Sequence, residues 1–474
     1  MIRLTESIHV NRPVEPVFRY TADFGRTQEW DPGVVSSKPA SPGNPGVGSK
    51  YNLVIKFGPF RPEMRYEILA YIPFSKVVLK GSADSFSAVD TICFSPTRTG
   101  TRIDYCAEIE FSGFLKRMDL FISPLLKETG RNAITGLRHK LSNGICPAPG
   151  SRRFASGSGL IDYMADHMIL PGMLTFGRPG YEIRRRFWTE NRETLYGKRV
   201  VITGGTSGIG KAAALKLAEK RADLTIIARN RQKAAAIQKE IIEQTGNPRV
   251  DFLLADLGVI ADIKRVAARL VDRKKSIDIL INNAGALFND REETPEGLER
   301  TFATDLLGVF YLTERLKSRF SRCGSARIIN VSSGGMYTQK IDVDDLQNRQ
   351  LPYNGAKAYA RAKRGVVILT RLWAEQLCDA GIAVHAMHPG WVDTPGIASA
   401  LPGFHSRLNS ILRTPEQGAD TVVWLASAKE AGLKTGLFWL DRQPRETHVF
   451  PNTVESETDR QILWQTLNRL TADI

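Results

Sequence analysis

Apolar and polar residues alternate from Ile2 to Val10, as expected of a half-buried strand, and Pro13 then opens a helical run with Val14, Val17, Phe18 and Ala22 on one face. Trp30 lies in a second short helical stretch. Between Tyr51 and Phe111 the segments YNLVIKF, RYEILAYI, KVVLKGS, AVDTICFS and TRIDYCAEIEF are separated by Gly, Pro and Ser turns, which predicts an antiparallel meander. A long helix is predicted next through Phe114, Leu115, Met118, Phe121, Ile122, Leu125, Leu126, Ile134 and Leu137, interrupted at Pro124. This order fits one α+β domain over residues 1–146.

From residue 196 the pattern changes to short, almost wholly apolar segments (RVVITG, LTIIAR, VDFLLADL, DILINNAG) alternating with helical ones such as KAAALKLAEK and KAAAIQKEIIEQ. Strands covered on both faces and joined by crossover helices predict an α/β domain over residues 196–474, a Rossmann-like doubly wound parallel sheet. Residues 147–195 form a linker ending in the basic-aromatic run Arg184, Arg185, Arg186, Phe187 and Trp188. Packing of this arm against the following domain is preferred here over peripheral membrane contact.

Composition narrows the partners. The net charge of +15, from 65 Lys and Arg against 50 Asp and Glu, raises nucleic acid or an anionic membrane as a partner. The charge is spread along the chain with no aromatic-interleaved basic run, so a solvated surface is expected and no nucleic acid. Five scattered cysteines without CxxC spacing argue against disulfides and structural zinc and for a reducing compartment. With no signal-like leader and no run near the ~18 apolar residues of a spanning helix, a cytoplasmic protein is expected.

The chemistry is concentrated in the second domain. Thr203, Gly204, Ser207, Gly208, Ile209 and Gly210 form a glycine-rich turn between a strand and a helix, where the backbone must approach a pyrophosphate resting on the helix N-terminus. The spacing TGxxxGxG, with Asp256-Leu257, Asn282-Asn283-Ala284-Gly285, Ser332-Ser333 and Pro389-Gly390 following in order, resembles the short-chain dehydrogenase/reductases. The resemblance implies a nicotinamide dinucleotide held by the glycine turn, Asp256, Leu257, Asn282, Ala284, Gly285, Pro389, Gly390, Val392 and Thr394, with no metal.

Two YxxxK pairs compete, Tyr353 with Lys357 and Tyr359 with Lys363; either spacing sets an ammonium beside a phenol on one helix face. Gly355 is poor inside a helix, whereas Tyr359 opens an unbroken helical run, and the family pattern also selects Tyr359 and Lys363. By resemblance, Tyr359 protonates a carbonyl oxygen that Ser333 holds, while Lys363 favours the phenolate and binds the nicotinamide ribose. Asp305 stands where the family usually has the Asn that supports a proton-relay water near the active Lys; it is a catalytic candidate that either keeps that relay or, as a carboxylate, stabilises the Lys cation and opposes the phenolate. The second strand ends in Ala228 and Arg229 with no acid, so NADPH is expected over NADH.

In element order the first domain resembles the START-like, polyketide-cyclase and lipid-transport superfamily with its helix-grip fold. That resemblance implies an apolar cavity, with Phe114, Phe121 and Leu125 as lining candidates. The expected function is an NADP(H)-dependent oxidoreductase acting on an apolar small-molecule carbonyl or alcohol. A dinucleotide-sensing or lipid-binding protein with weak turnover is the alternative, and family members often form homodimers.

Overall fold

The alternation of the first residues folds into a seven-stranded antiparallel sheet. The structure, a computed structural model, describes residues 2–31, 33–55, 61–83, 86–97, 100–111, 133–134, 136–138, 140–141, 148–149, 175–188, 190–272, 276–321, 326–350, 352–449 and 451–472. Its contacts divide the chain into two compact units, Met1–Ser151 and Arg152–Ile474.

In the first unit, β1 (Ile2–Val10) leads into α1 (Val14–Ala22) and α2 (Thr27–Trp30). Then come β2 (Val34–Pro39), β3 (Lys50–Ile55), β4 (Glu63–Ile72), β5 (Lys76–Ser82), β6 (Phe86–Thr97) and β7 (Gly100–Phe111). Their order in the sheet is β1-β7-β6-β5-β4-β3-β2, a meander that closes back on its first strand. Alternation buries Leu53, Ile68, Leu79, Ile92 and Ile103 on one face, where they pack with Val17 and Phe18 of α1 and with Ile134, Leu137 and Leu141. Strand β2 was not expected. Its second buried position is Ser37, whose hydroxyl donates to the Phe24 carbonyl, so apolar periodicity gives no sign of it. Phe114, Phe121 and Leu125, the expected cavity lining, lie outside the described residues.

Among the described residues of the second unit, the first helix is α3 (Arg178–Arg185). Strands β8 (Arg199–Thr203), β9 (Asp223–Ala228), β10 (Val250–Leu254) and β11 (Ile279–Asn282) alternate with α4 (Gly208–Glu219), α5 (Arg231–Thr245) and α6 (Ile260–Asp272). Next come α7 (Arg300–Phe302), a π-helical turn at Ala303–Leu307, α8 (Gly308–Leu316), β12 (Ala326–Val331), α9 (Gly355–Leu377) and β13 (Ile382–Met387). Helices α10 (Pro395–Ala400), α11 (Pro402–Leu408) and α12 (Pro415–Ser427) precede the hairpin β14 (Leu437–Leu440) and β15 (Gln443–Arg445) and the last helix, α13 (Glu457–Ala472).

Sheet order is β10-β9-β8-β11-β12-β13-β14-β15, with β15 antiparallel to an otherwise parallel sheet. One core lies under α6, α8 and α9 and the other under α4 and α12, which is why these strands read as apolar on both faces. Between β8 and β11 the chain reverses its direction of travel across the sheet, and at such a switch point doubly wound folds leave a crevice. The glycine turn and the Asn282–Gly285 segment both end there.

Candidate active site

Left-handed backbone shapes the glycine turn: Gly204 has φ +69° and a Cβ there would lie 2.9 Å from the Ala284 Cα. A Cβ on Gly210 would collide with the Gly204 carbonyl, so both positions require glycine for the turn to close against its neighbours. Ser207 caps α4 without a side-chain bond to it, so its hydroxyl leaves the first helix amides uncapped. Asn283, which the motif names but the expected binding residues omit, clamps the turn: its amide donates to the carbonyls of Thr203 (2.9 Å) and Gly204 (3.3 Å). Thr203 Oγ1 in turn accepts from the backbone N–H groups of Asn283 and Ala284, each at 2.9 Å. Asn282 faces the other way, donating to Asn330 Oδ1 (2.8 Å) and Thr313 Oγ1 (3.1 Å) inside the sheet.

At the end of β10, Asp256 Oδ1 accepts from the Gly258 amide at 2.9 Å, and Leu257 is buried with its carbonyl against Gly308. Arg229 stands at the end of β9, 59% exposed, with Nη1 4.0 Å from Asp256 Oδ2. The loop after β13 closes the other side. Gly390 has φ +80°, Pro389 accepts from Arg413 Nη1 at 3.2 Å, and Val392 is buried. Thr394 caps α10 through its hydroxyl and presents its methyl 3.1 Å from where a Cβ on Gly208 would stand. These are the features a dinucleotide needs: glycines where a Cβ would block the approach, open helix amides, and a loop closing over the turn.

Ser333, Tyr359 and Lys363 converge beside this crevice. Ser333 Oγ accepts from the Gly335 amide at 3.2 Å and lies close enough to the Tyr359 phenol to pull its ionisation down. The Lys363 ammonium lies 5.5 Å from the Tyr359 ring centre, donates to the Val331 carbonyl at 3.3 Å and is 3.4 Å from Asp305 Oδ1. Asp305 is on the π-helical turn, a local widening of the helix common at functional sites, and accepts from the Ala286 amide at 3.0 Å. Gly285 leaves room for the pair, since a Cβ there would lie 2.5 Å from Asp305 Oδ1 and 2.7 Å from Lys363 Nζ.

Burial pushes the Asp305 carboxyl up to about 6 although Lys363 opposes it. It also pushes the Tyr359 phenol up; Lys363 and Ser333 pull it down, and Asp305 adds to the rise. For Lys363, burial pulls downward but Asp305 and Tyr359 outweigh it, and the ammonium is held above its ordinary range.

Tyr353 is placed elsewhere. Its hydroxyl donates to Glu299 Oε1 at 3.1 Å and lies 3.0 Å from Thr301 Oγ1, while Glu299 caps α7 through the amides of Thr301 and Phe302. Helix α9 begins only at Gly355, with Asn354 as its cap, so Tyr353 lies outside the helix and Lys357 is exposed on its first turn. His385 bonds the Ala431 carbonyl and accepts from the Trp439 indole, and burial lowers it to about 4, so it is a neutral core residue. Among the described residues no group of three or more His, Cys, Asp or Glu side chains could hold a metal.

Residues 198–402 match the short chain dehydrogenase family, and residues 1–142 match the polyketide cyclase / dehydrase and lipid transport family. The chain is 38% identical over 314 residues to dehydrogenase/reductase SDR family member 12 of Bos taurus, covering 65% of this chain and 98% of that protein. The chain belongs to the short-chain dehydrogenase/reductase family. The human dehydrogenase/reductase SDR family member 12 is 39% identical over 281 residues, 59% of this chain and 88% of that protein. Human retinol dehydrogenase 13 is 32% identical over 259 residues, 52% and 78% respectively. A solved 3-ketoacyl-(acyl-carrier-protein) reductase from Brucella melitensis, complexed with NADH, has TM-score 0.43 and 26% identity over 52% of this chain and 96% of that one. This short-chain dehydrogenase/reductase is therefore an NAD(P)-dependent oxidoreductase interconverting carbonyls and alcohols, fused to a START-like domain. No described helix is long and apolar enough to cross a membrane.

Proposed function

We propose that the chain is an NADPH-dependent reductase of an apolar small-molecule carbonyl, reversible toward the alcohol. The observation that carries this reading is the convergence of Ser333, Tyr359 and Lys363 beside the glycine turn. The dinucleotide, when bound, supplies the hydride. The Ser333 hydroxyl orients the carbonyl oxygen, and the Tyr359 phenol gives that oxygen a proton. Lys363 stabilises the phenolate left behind, working against burial and Asp305, and its ammonium would also hold the nicotinamide ribose of a bound dinucleotide.

Arg229 supports the NADPH preference, because an exposed guanidinium at the end of β9 suits a 2′-phosphate and no acid stands there to bind ribose hydroxyls. The apolar substrate is supported by the retinol dehydrogenases among the relatives and by the lipid-transport family of the first unit, which would capture a hydrophobic ligand. A parallel fluorescence titration with NADPH and NADH tests the cofactor. NADPH should bind more tightly, and Arg229→Asp should cut the affinity ratio at least about tenfold. An unchanged ratio removes the NADPH assignment, and binding of neither dinucleotide removes the oxidoreductase reading. A second reading, a dinucleotide-sensing protein with weak turnover, is favoured only by Asp305, which opposes the phenolate.

A further inference from the structure

Within the second unit, the segment before the first Rossmann strand is built onto the loop after β13. The Trp391 amide donates to the Phe176 carbonyl at 2.9 Å, which ties the arm to the loop after β13. Arg413 donates to the carbonyls of Gly177 (3.2 Å) and Thr175 (3.1 Å), and Arg184 to the Thr175 carbonyl (3.1 Å). Both guanidinium groups then meet one carboxylate: Asp441 is 2.8 Å from Arg184 Nη1 and 2.6 and 2.9 Å from Arg413 Nη1 and Nη2. All three side chains are buried, and Asp441 and Arg442 adopt the left-handed backbone of a tight hairpin turn between β14 and β15. Burial alone would push the Asp441 carboxyl up, but the two arginines hold it below its ordinary value, so the strap stays charged.

The strap fixes Phe176 next to the chemistry. A Cβ on Gly334, the residue following Ser333, would touch Phe176 Cε2 at 3.4 Å and His388 Cε1 at 3.6 Å. The Phe176 ring packs edge-to-face with His388 (4.7 Å) and Trp391 (5.9 Å), and Trp391 packs in the same way with Phe404 of α11 (5.4 Å). Phe176, Trp391 and Phe404 are all half-buried, so the row of rings runs from beside Ser333 out toward solvent. His388 adds no charge to it, because burial lowers the imidazole to about 3. Phe176 and Asp441 both lie outside residues 198–402, the part that matches the dehydrogenase family.

We infer that Phe176 is a specificity-determining residue, the arm's contribution to the substrate wall, which selects carbonyl compounds carrying a flat, uncharged ring system next to the reacting carbon. The inference rests on the oxidoreductase reading above. A carbonyl oxygen held by Ser333 and Tyr359 leaves the rest of the substrate to lie along this row, where an aromatic edge gains most from a planar apolar partner. Because the arm is bonded through three of its carbonyls, the wall is preorganised.

The test uses the full chain with NADPH and two probes, acetylnaphthalene and butanone. Phe176→Ala should lower the ratio of kcat/KM for acetylnaphthalene over butanone about tenfold, and Phe176→Leu, which keeps apolar bulk on the arm, should lower it less. Equal losses on both ketones would mark Phe176 as packing only, and an unchanged ratio would also overturn the assignment. A readout without turnover accompanies it: calorimetry of acetylnaphthalene binding to the NADPH-saturated Tyr359→Phe chain, with and without Phe176→Ala. Affinity there should fall by a similar factor. If NADPH binds and the probe's affinity does not move, only the role of Phe176 is overturned, whereas failure of NADPH to bind overturns both readings.

Discussion

Asp90 in the first unit and Asp305 in the second are both buried, and in each case burial pushes the carboxyl up to about 6. Their partners differ. Asp90 accepts from the Tyr105 phenol at 2.8 Å, and the Tyr66 phenol also acts on it, so its partners are neutral donors. Asp305 faces the Lys363 ammonium at 3.4 Å, and its Oδ2 has no hydrogen-bond partner among the described residues. The first arrangement satisfies a polar group within an apolar core. The second leaves a buried carboxyl under-satisfied beside the tyrosine and lysine proposed above to act in proton transfer, an incompleteness of the kind that clusters at functional sites.

The largest effect that sharpens this contrast is on chemistry. Tyr359→Phe should lower carbonyl turnover on the order of 1,000-fold while sparing NADPH affinity and the unfolding of the first unit. Tyr353→Phe, which loses the hydroxyl's bonds to Glu299 and Thr301, should cost stability of about 1 kcal/mol and little turnover. Turnover that survives Tyr359→Phe would move the reaction away from Lys363.

Next comes a stability effect confined to the first unit. The Asp90 carboxyl is raised in the folded chain from 3.8 to about 6, so its contribution is complete below pH 4 and is lost as pH rises through 6. Asp31, pushed up to about 7, acts in the same direction. Asp90→Asn should flatten the fall in first-unit stability between pH 4 and 7 by on the order of 2 kcal/mol, read by urea unfolding at several pH values. A slope equal to that of the unmutated chain would show that Asp90 is not the titrating group. The smallest effect is electrostatic tuning. Asp305→Asn removes a charge that raises Tyr359, so the phenol should ionise at lower pH, and the limb of the alcohol-oxidation profile that needs the phenolate should move down. An unmoved limb would break the link between Asp305 and Tyr359.

Much of the molecule was legible in residue order. Strand and helix periods place the two sheets, and the glycine spacing at Thr203–Gly210 marks the turn because backbone approach leaves a compositional trace. Strand β2 was not legible, since a serine fills its second buried position and hydrogen-bonds instead of packing. Asn283 was read only as part of a motif; which of two adjacent asparagines clamps the turn depends on which face of β11 each occupies. For the charged arm at Arg184 the residue order favours packing against the following domain but does not name the residue that receives it, Asp441, which lies 257 positions away.

The sequence by itself determined the α/β architecture of the second unit, the cofactor-side turn and the presence of two YxxxK pairs, because each is a property of neighbouring residues and of local backbone geometry. Tertiary structure separated the two tyrosines, one captured by Glu299 and the other set against Ser333 and Lys363, and it seated Phe176 beside Gly334. Those outcomes depend on side chains distant in sequence meeting at one end of the sheet, which spacing along the chain does not encode.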